Sequence, residues 1–267
     1  MTMETQRKTR KGVYILPNLL TTGGMFFGFY AVMAALAGEF EKGAMAIVVA
    51  GIFDGLDGRV ARALDAVSSF GKEYDSLADF LSFGMAPAIL IHQWALEPFH
   101  RVGLAGAFVF TVCGALRLAR FNVQHYQADE AWQKRYFQGL PIPAAAGLVA
   151  ATMLFYMELE LSPAVDAARH GFWQWLPLLL VYLLGLLMVS PVRFRSFKDI
   201  HWHKARPFFT LVGAVVFIAV LTIHMAVTLF TLFGAYLVSG YWSHREYRRL
   251  LAEGKEVEPD EVADLTA

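Results

Sequence analysis

Residues 43–91 read GAMAIVVAGIFDGLDGRVARALDAVSSFGKEYDSLADFLSFGMAPAILI, and this segment carries most of the structural information in the chain. Both of its ends are apolar, and each is suited to form most of a membrane-spanning helix. Between them lie five aspartates, of which Asp54, Asp57, Asp75 and Asp79 fall within the predicted helices. Ionisable side chains are costly within membrane spans, so they usually line a cavity and mark a function. The segment therefore predicts two antiparallel membrane helices that share a polar site.

The composition of the whole chain supports a membrane protein. Of the 267 residues, 57% are hydrophobic and only 17% are charged, and the mean hydropathy is +0.45. A soluble domain of this length needs more polar residues to cover its surface, so soluble and fibrous classes are excluded. The formal net charge is zero, and we expect no nucleic-acid partner. The single cysteine, Cys113, excludes a disulfide within one chain, and we interpret it as a small core residue.

Long apolar runs predict an all-α fold, a polytopic membrane helix bundle with about eight transmembrane helices. A basic arm at 1–14 precedes the membrane domain at 15–245, and an acidic tail follows at 246–267. The first apolar run is longer than the core of a signal peptide, which favours an uncleaved span. The predicted spans are 15–37, 43–63, 75–96, 102–121, 141–161, 172–190, 207–224 and 226–243.

The positive charges predict how the chain is oriented in the membrane. With eight spans, all but three of the 23 Lys and Arg residues fall on one side; the exceptions are Lys42, Arg101 and Arg169. Cytoplasmic loops carry an excess of Lys and Arg. We therefore expect a multi-pass protein with both termini in the cytoplasm, and the four aspartates then lie near the cytoplasmic ends of their helices.

The spacing of the aspartates predicts a metal site. Asp54 and Asp57 are three residues apart and Asp75 and Asp79 are four apart, so each pair lies on one helix face. Four carboxylates cannot converge in a low dielectric unless cations neutralise them. Ligands that are all oxygen favour hard ions such as Mg²⁺, Mn²⁺ or Ca²⁺ over zinc.

Two other interpretations of the aspartates compete with an enzyme. The acids could simply pair with Arg59, Arg62 and Lys72 at solvated helix ends. A cation-coupled transporter also needs acids inside a helix bundle. Transporter sites, however, tend to lie near the bilayer midplane between broken helices, whereas these acids lie at one end. A metal site open to the cytoplasm therefore favours an enzyme.

The spacing also carries a family resemblance. Residues 54–79 resemble the CDP-alcohol phosphatidyltransferase signature, which is Asp-x-x-Asp-Gly-x-x-Ala-Arg followed by Gly, Asp and Asp at fixed intervals. The chain matches every fixed position, namely Asp54, Asp57, Gly58, Ala61, Arg62, Gly71, Asp75 and Asp79.

The flanking sequence is similar to the bacterial membrane-bound members of the family that use L-serine. The similar segments are PNLLTT at 17–22, SLADFLSFGMAPA at 76–88, LRLARFN at 116–122, FQGLPIPAAAG at 137–147 and, more loosely, RFRSFK at 193–198. The resemblance covers about residues 15–200, and the last two spans contribute hydropathy alone.

The resemblance implies roles for the matched residues. Asp54, Asp57 and Asp75 would hold two divalent ions, Mg²⁺ or Mn²⁺, that bridge the diphosphate of CDP-diacylglycerol. Asp79 would contact one ion and act as the general base. The nucleotide pocket would be formed by Asn18, Thr21, Gly58, Ala61, Arg62, Ser68 and Gly71.

The acceptor alcohol is predicted less directly. L-Serine carries a carboxylate, so its pocket should contain a cation. Arg120 is the first candidate, followed by Arg117, Arg193, Arg195 and Lys198. All five could instead serve as positive-inside charges that contact lipid headgroups. Glycerol 3-phosphate, an inositol phosphate and choline remain alternative acceptors, and the preference for serine rests on the resemblance.

The sequence thus predicts a transferase of the bacterial inner membrane. It would move the phosphatidyl group from CDP-diacylglycerol to L-serine and release phosphatidylserine and CMP. By analogy with the family, we expect a homodimer surrounded by membrane lipids.

Overall fold

The computed structural model describes residues 12–127, 136–160, 175–195 and 222–252, together with positions 212, 215, 219 and 220. Within these residues the chain is predominantly helical, which confirms the predicted helical class. The helices are α1 (Ile15–Leu36), α2 (Phe40–Ala63), α3 (Ser69–Asp79), α4 (Ala86–Ile91), α5 (His100–Gln127), α6 (Ile142–Glu158), α7 (Trp175–Val189) and α8 (Met225–Ala252).

Three stretches of the described chain are long and apolar enough to cross a membrane, namely Ile15–Leu36, Ser69–Val123 and Met225–Arg249. The predicted count of eight spans is not confirmed. Two predicted spans correspond to shorter apolar helices, since α6 has 17 residues and α7 has 15. The C-terminal half of α2 carries charged residues, and the predicted span at 207–224 lies mostly outside the described residues.

The predicted third and fourth spans form two arms that fold back on each other. The turn is at His100, whose positive φ of 50° breaks the helix. The arms meet where glycines face each other: a Cβ placed on Gly114 of α5 would lie 3.7 Å from the Cα of Gly84. Small residues allow this close approach of two helices. The first arm begins at Ser69, earlier than the predicted residue 75, because Ser68 caps it by accepting a 3.0 Å hydrogen bond from the Gly71 N–H.

The first arm is not a regular α-helix. Two segments, Phe80–Met85 and His92–Leu96, are wound as π-helix, and Glu97–Phe99 forms a 3₁₀ turn. Each π segment lies just before a proline, Pro87 or Pro98. Proline lacks the N–H of the helical ladder, and its ring would clash with the carbonyl four residues earlier. Wider turns relieve that clash, which explains irregularities that hydropathy does not predict.

Small residues bring α1 against its neighbours. A Cβ placed on Gly28 would lie 2.7 Å from the Cα of Ser82, and the Ser82 hydroxyl donates a 3.3 Å hydrogen bond to the Gly24 carbonyl. Gly24 also faces α2, where a Cβ would lie 3.4 Å from Phe53. Close packing of this kind holds α1 against α2 and against the first arm of the hairpin. The polar ends of α2 and α3 are positioned by these contacts.

The helix with the largest number of buried residues is α6, whose residues from Ala145 to Leu154 are all buried. It contacts α2, α5, α7 and α8 and so forms the centre of the bundle. Its N-terminus carries Pro141 at the cap and Pro143 just inside, where a missing N–H costs nothing.

The structure also contains two strands of three residues each, which the all-α prediction did not include. Strand β1 (Tyr136–Gln138) pairs antiparallel with β2 (Arg193–Arg195). Gly139 ends β1 with a φ of +77°, and its N–H donates a 2.8 Å hydrogen bond to the Val192 carbonyl. A side chain there would collide with the Met188 carbonyl, so the site requires glycine. The pairing connects the start of α6 to the end of α7.

The C-terminal helix is longer than predicted. α8 continues to Ala252, whereas the predicted eighth span ends at 243 and the predicted tail begins at 246. The acidic end of the tail lies outside the described residues.

Candidate active site

Three of the four predicted acids form one cluster. A carboxylate oxygen from each of Asp54, Asp57 and Asp75 lies within 4.8 Å of the others. Asp79, one helical turn beyond Asp75, approaches the Asp54 carboxyl group within hydrogen-bonding contact. Since α2 supplies one pair and α3 the other, the structure brings together all four carboxylates as the spacing predicts.

The cluster is anchored to α1 by a buried hydrogen bond. The Thr21 hydroxyl lies 2.7 Å from Asp57 Oδ2 and donates to it, with the Pro17 carbonyl as a second acceptor at 3.2 Å. Thr21 and Asp57 are each only 6% exposed. A buried carboxylate that accepts a hydrogen bond is held in a fixed orientation. Thr21 therefore positions an acid, whereas the sequence assigned it to the nucleotide pocket.

The acids line a small cleft. Its walls combine the four carboxylates with small or apolar side chains: Thr21, Gly24, Met25, Ala50, Ala78, Ser82 and Phe83. The cleft encloses little free space, so the larger part of a nucleotide would lie outside it.

The donor set fits a hard divalent cation. All the candidate ligand atoms are carboxylate oxygens, which suit Mg²⁺ or Mn²⁺. Oxygens on opposite sides of such an ion are about 4–5 Å apart, since each metal–oxygen bond is about 2.0–2.6 Å. The separation of no more than 4.8 Å among Asp54, Asp57 and Asp75 meets that condition. These residues could hold a metal with little rearrangement.

Several residues predicted for the nucleotide pocket lie close to one another near the ends of α2 and α3. Gly71 lies between two other predicted residues, since a Cβ on it would be 3.1 Å from Ser68 Oγ and 3.5 Å from Asn18 Oδ1. On α2, a Cβ on Gly58 would lie 3.5 Å from the Arg62 guanidinium, and Ala61 lies between them in the chain. The two glycines thus leave space beside polar groups at the ends of α2 and α3.

The predicted acceptor-binding arginines have different surroundings. Arg117 on α5 is only 8% exposed, and its guanidinium interacts electrostatically with the Asp79 carboxylate. Among the described residues, its Nε is a buried nitrogen without a hydrogen-bond partner. Arg120 instead donates a 3.2 Å hydrogen bond to the Val189 carbonyl at the end of α7. Arg117 therefore interacts with an acid of the cluster, whereas Arg120 binds the end of α7.

Two of the remaining candidates, Arg193 and Arg195, belong to β2. The Arg193 guanidinium lies 5.0 Å from the centre of the Tyr247 ring on α8. Arg195 pairs through its backbone position with Tyr136 of β1. Lys198 lies outside the described residues. Of the three candidates whose side chains the structure describes, Arg117, Arg120 and Arg193, Arg117 is the one that interacts with Asp79.

Two further polar residues near the site were not predicted. Asn122 Nδ2 donates a 3.1 Å hydrogen bond to Ser76 Oγ, which ties α5 to the helix of Asp75 and Asp79. Its position within LRLARFN could have suggested a role. Tyr236 of α8 interacts electrostatically with Arg117, and no sequence signal indicated it.

Comparison with known proteins defines the class of this site. A family model described as CDP-alcohol phosphatidyltransferase matches residues 14–184. The chain belongs to the CDP-alcohol phosphatidyltransferase family, which confirms the predicted resemblance. It is thus an enzyme of that class, and the transporter interpretation is set aside.

Several named proteins of this family are similar to the chain. The chain is 36% identical over 231 residues to a CDP-diacylglycerol–serine O-phosphatidyltransferase of Helicobacter pylori, covering 85% of this chain and 90% of that protein. It is 30% identical over 183 residues to the Bacillus subtilis protein of the same name, covering 68% and 91%. An archaetidylserine synthase of Methanothermobacter thermautotrophicus is 37% identical over 149 residues, covering 54% and 61%.

Proposed function

We propose that this enzyme transfers the phosphatidyl group from CDP-diacylglycerol to L-serine, giving phosphatidylserine and CMP. The observation that carries the proposal is the convergence of four carboxylates beside a buried arginine. The names of the relatives support serine as the acceptor. The bacterial and archaeal relatives are named for different lipids, but serine occurs in all three names.

The acids would hold the metal. Asp54, Asp57 and Asp75 supply oxygen ligands for Mg²⁺ or Mn²⁺, and two ions are expected. Such ions, when bound, neutralise charge on the diphosphate and on the departing CMP. The hydrogen bond from Thr21 keeps one ligand oxygen of Asp57 in place before substrate arrives. Preformed ligands reduce the reorganisation needed at the moment of reaction.

Asp79 would be the general base. Its carboxylate lies beside the other acids at the wall of the cleft, where the acceptor hydroxyl must approach the phosphorus. The serine hydroxyl is a weak nucleophile until a positioned base takes its proton. The proton passes to Asp79, the serine oxygen forms a bond to phosphorus, and the bond from phosphorus to the CMP oxygen breaks.

Arg117 would bind the acceptor carboxylate. A buried guanidinium with an unpaired Nε is costly unless an anion completes its hydrogen bonds. Arginine binds carboxylates through two parallel N–H groups. Since Arg117 interacts with Asp79, a carboxylate bound to it would bring the serine hydroxyl close to the base. Glycerol 3-phosphate offers a phosphate at this point, whereas choline offers no anion.

The experiment measures CMP release by the purified full-length protein in detergent. CDP-diacylglycerol and Mn²⁺ or Mg²⁺ are supplied with serine, glycerol 3-phosphate, an inositol phosphate or choline in turn. Release is expected with serine alone. Asp79→Asn should abolish it, whereas Asp65→Asn should not, because Asp65 is exposed and its φ of 51° suits asparagine. Release with another alcohol only would overturn serine as the acceptor, and an active Asp79→Asn enzyme would overturn the base.

The remaining predictions about assembly are part of the same proposal. They are an eight-span topology in a bacterial inner membrane with both termini in the cytoplasm, and a homodimer. The apolar stretches of the described chain are compatible with a membrane-integral enzyme.

A further inference from the structure

The two arms of the hairpin meet a second time, at the end where the acids lie. Gly114 of α5 packs against Gly84 of the first arm. Asn122 lies eight residues after Gly114, and Ser76 lies eight residues before Gly84. Because the arms are antiparallel, these two side chains come level with each other. Their contact therefore lies on the turn of α3 that carries the acids.

The carboxamide of Asn122 contacts two side chains of α3. Its Nδ2 lies 3.1 Å from Ser76 Oγ and 3.5 Å from Glu73 Oε2, and it can donate one N–H to each. The Ser76 hydroxyl can in turn donate to Asn122 Oδ1 at 3.2 Å or to the Lys72 carbonyl at 3.0 Å. Glu73 and Ser76 are three residues apart, so they are neighbours on one face of α3. One amide thus spans most of a helical turn.

This contact bears on the direction in which the acids point. Successive residues of a helix are about 100° apart around its axis, which places Asp79 about 60° and Asp75 about 100° from Ser76, both on the same side. An atom about 5 Å from the axis moves by about 1 Å when the helix rotates by about 10°. Metal–ligand distances tolerate deviations of only about 0.2 Å. A small rotation of α3 would therefore move its carboxylates out of place.

We propose that Asn122 is a positioning residue: its hydrogen bonds hold α3 at the rotation that directs Asp75 and Asp79 toward the acids of α2. In this orientation an oxygen of Asp75 lies within 4.8 Å of oxygens of Asp54 and Asp57. The inference rests on the proposed function, because it assumes that these acids hold the metal. Asn122 itself touches neither metal nor substrate and acts through α3.

The test measures Mn²⁺ binding by calorimetric titration of the full-length, substrate-free protein. Asn122→Leu keeps the approximate size of the side chain and removes both N–H donors. The Kd for Mn²⁺ should therefore rise about tenfold, at the lower end of the range for residues that orient a metal ligand. Val123→Ala is the matched control and should bind like the wild type, because Val123 is the next residue of α5 and is 55% exposed.

A second variant tests the hydrogen bond from the side of α3. Ser76→Ala removes the partner of Asn122 and should also weaken Mn²⁺ binding. Residues that act through one contact have non-additive effects. The double variant should therefore bind Mn²⁺ no more weakly than Asn122→Leu alone.

CMP release distinguishes positioning from a purely structural role. In Asn122→Leu the Mn²⁺ concentration for half-maximal release should rise about tenfold, and saturating Mn²⁺ should restore most of the rate. A purely structural role would instead lower the metal-free Tm and the rate at every Mn²⁺ concentration, with no change in the half-maximal concentration.

Three outcomes would overturn the inference: wild-type Mn²⁺ affinity in Asn122→Leu, additive losses in the double variant, or an unchanged half-maximal Mn²⁺ concentration. Asp54→Asn separates this failure from failure of the proposed function. Wild-type Mn²⁺ binding by Asp54→Asn would show that the acids do not hold the metal. Loss of binding in Asp54→Asn together with wild-type binding in Asn122→Leu would overturn the inference alone.

Discussion

The Thr21 hydroxyl on α1 donates a 2.7 Å hydrogen bond to Asp57 Oδ2 on α2. Both side chains are almost fully buried, so water cannot replace either partner. The bond links the helix that precedes the acids to one of the acids themselves. An outer partner of this kind orients a metal ligand without touching the metal.

Thr21→Val should therefore weaken metal binding with little effect on the fold. The change keeps the shape of the side chain and removes the donor. The Mn²⁺ concentration for half-maximal CMP release should rise by about 10–100-fold, and saturating Mn²⁺ should restore most of the rate. Thr22→Val is the matched control, because Thr22 is exposed and hydrogen-bonds to the Asn18 carbonyl and to Tyr74. An unchanged metal requirement in Thr21→Val would argue against the orienting role.

Metal removal should be reversible and should depend on the acids. EDTA should abolish CMP release, and excess Mg²⁺ or Mn²⁺ should restore it. In calorimetric titration of the substrate-free protein, Asp54→Asn should bind Mn²⁺ about 100-fold more weakly. Loss of a residue that only orients a metal ligand weakens binding by about 10–100-fold, and Asp54 is itself a proposed ligand. Asp65→Asn should bind like the wild type. Equal binding by all three proteins would show that the ion lies elsewhere.

The two neighbouring arginines should respond differently to substitution. Arg117→Lys keeps the charge but loses the planar pair of donors, so the KM for serine should rise by about tenfold or more. Arg120→Met loses its hydrogen bond to the Val189 carbonyl, so it should lower the Tm and leave the KM for serine near the wild-type value. If Arg120→Met raised the KM and Arg117→Lys did not, the acceptor pocket would lie nearer the end of α7.

Gly28 should tolerate no side chain. In Gly28→Ala the new Cβ would lie 2.7 Å from the Ser82 Cα, which is backbone and cannot rotate away. Overpacking costs about 1–3 kcal/mol, and each kcal/mol lowers the Tm by about 2–4 °C for a chain of this size. Gly55→Ala is the control, because no atom lies within 4 Å of its Cβ position, and alanine favours a helix. Equal Tm values for the two variants would disprove this close contact between α1 and the hairpin.

The acid cluster could be predicted because its information is local. Helical periodicity places Asp54 with Asp57 and Asp75 with Asp79, and a short connection brings the two pairs together. The same reasoning could not distinguish the surroundings of Arg117 from those of Arg120, because these two residues are also three apart and share a helix face. Their difference arises from the partners that each finds on α3 and α7.

Features that depend on contacts between segments distant in the chain were not predicted from the sequence. The ring of Phe194 in β2 packs against Tyr236 and Gly240 of α8, and α8 is far from β2 in the chain. The β1–β2 pairing depends on the turn at Gly139, which Met188 closes from another helix. Hydropathy reports how apolar a segment is, but not which face meets which partner. For the same reason hydropathy alone does not establish the number of spans, and the predicted eight are not confirmed.

The π-helical segment at Phe80–Met85 bears on how this chain can change in length. A π-turn holds one more residue than the α-turn it replaces. Losing one residue between 80 and 85 could convert the wide turn to an ordinary one while keeping Asp75 and Asp79 in phase with the apolar part of the arm. Losing one residue between Asp75 and Asp79 would instead rotate one acid by about 100° away from the other. In evolution, single-residue gaps in this arm should therefore collect at the turn before Pro87 and spare the acidic turn.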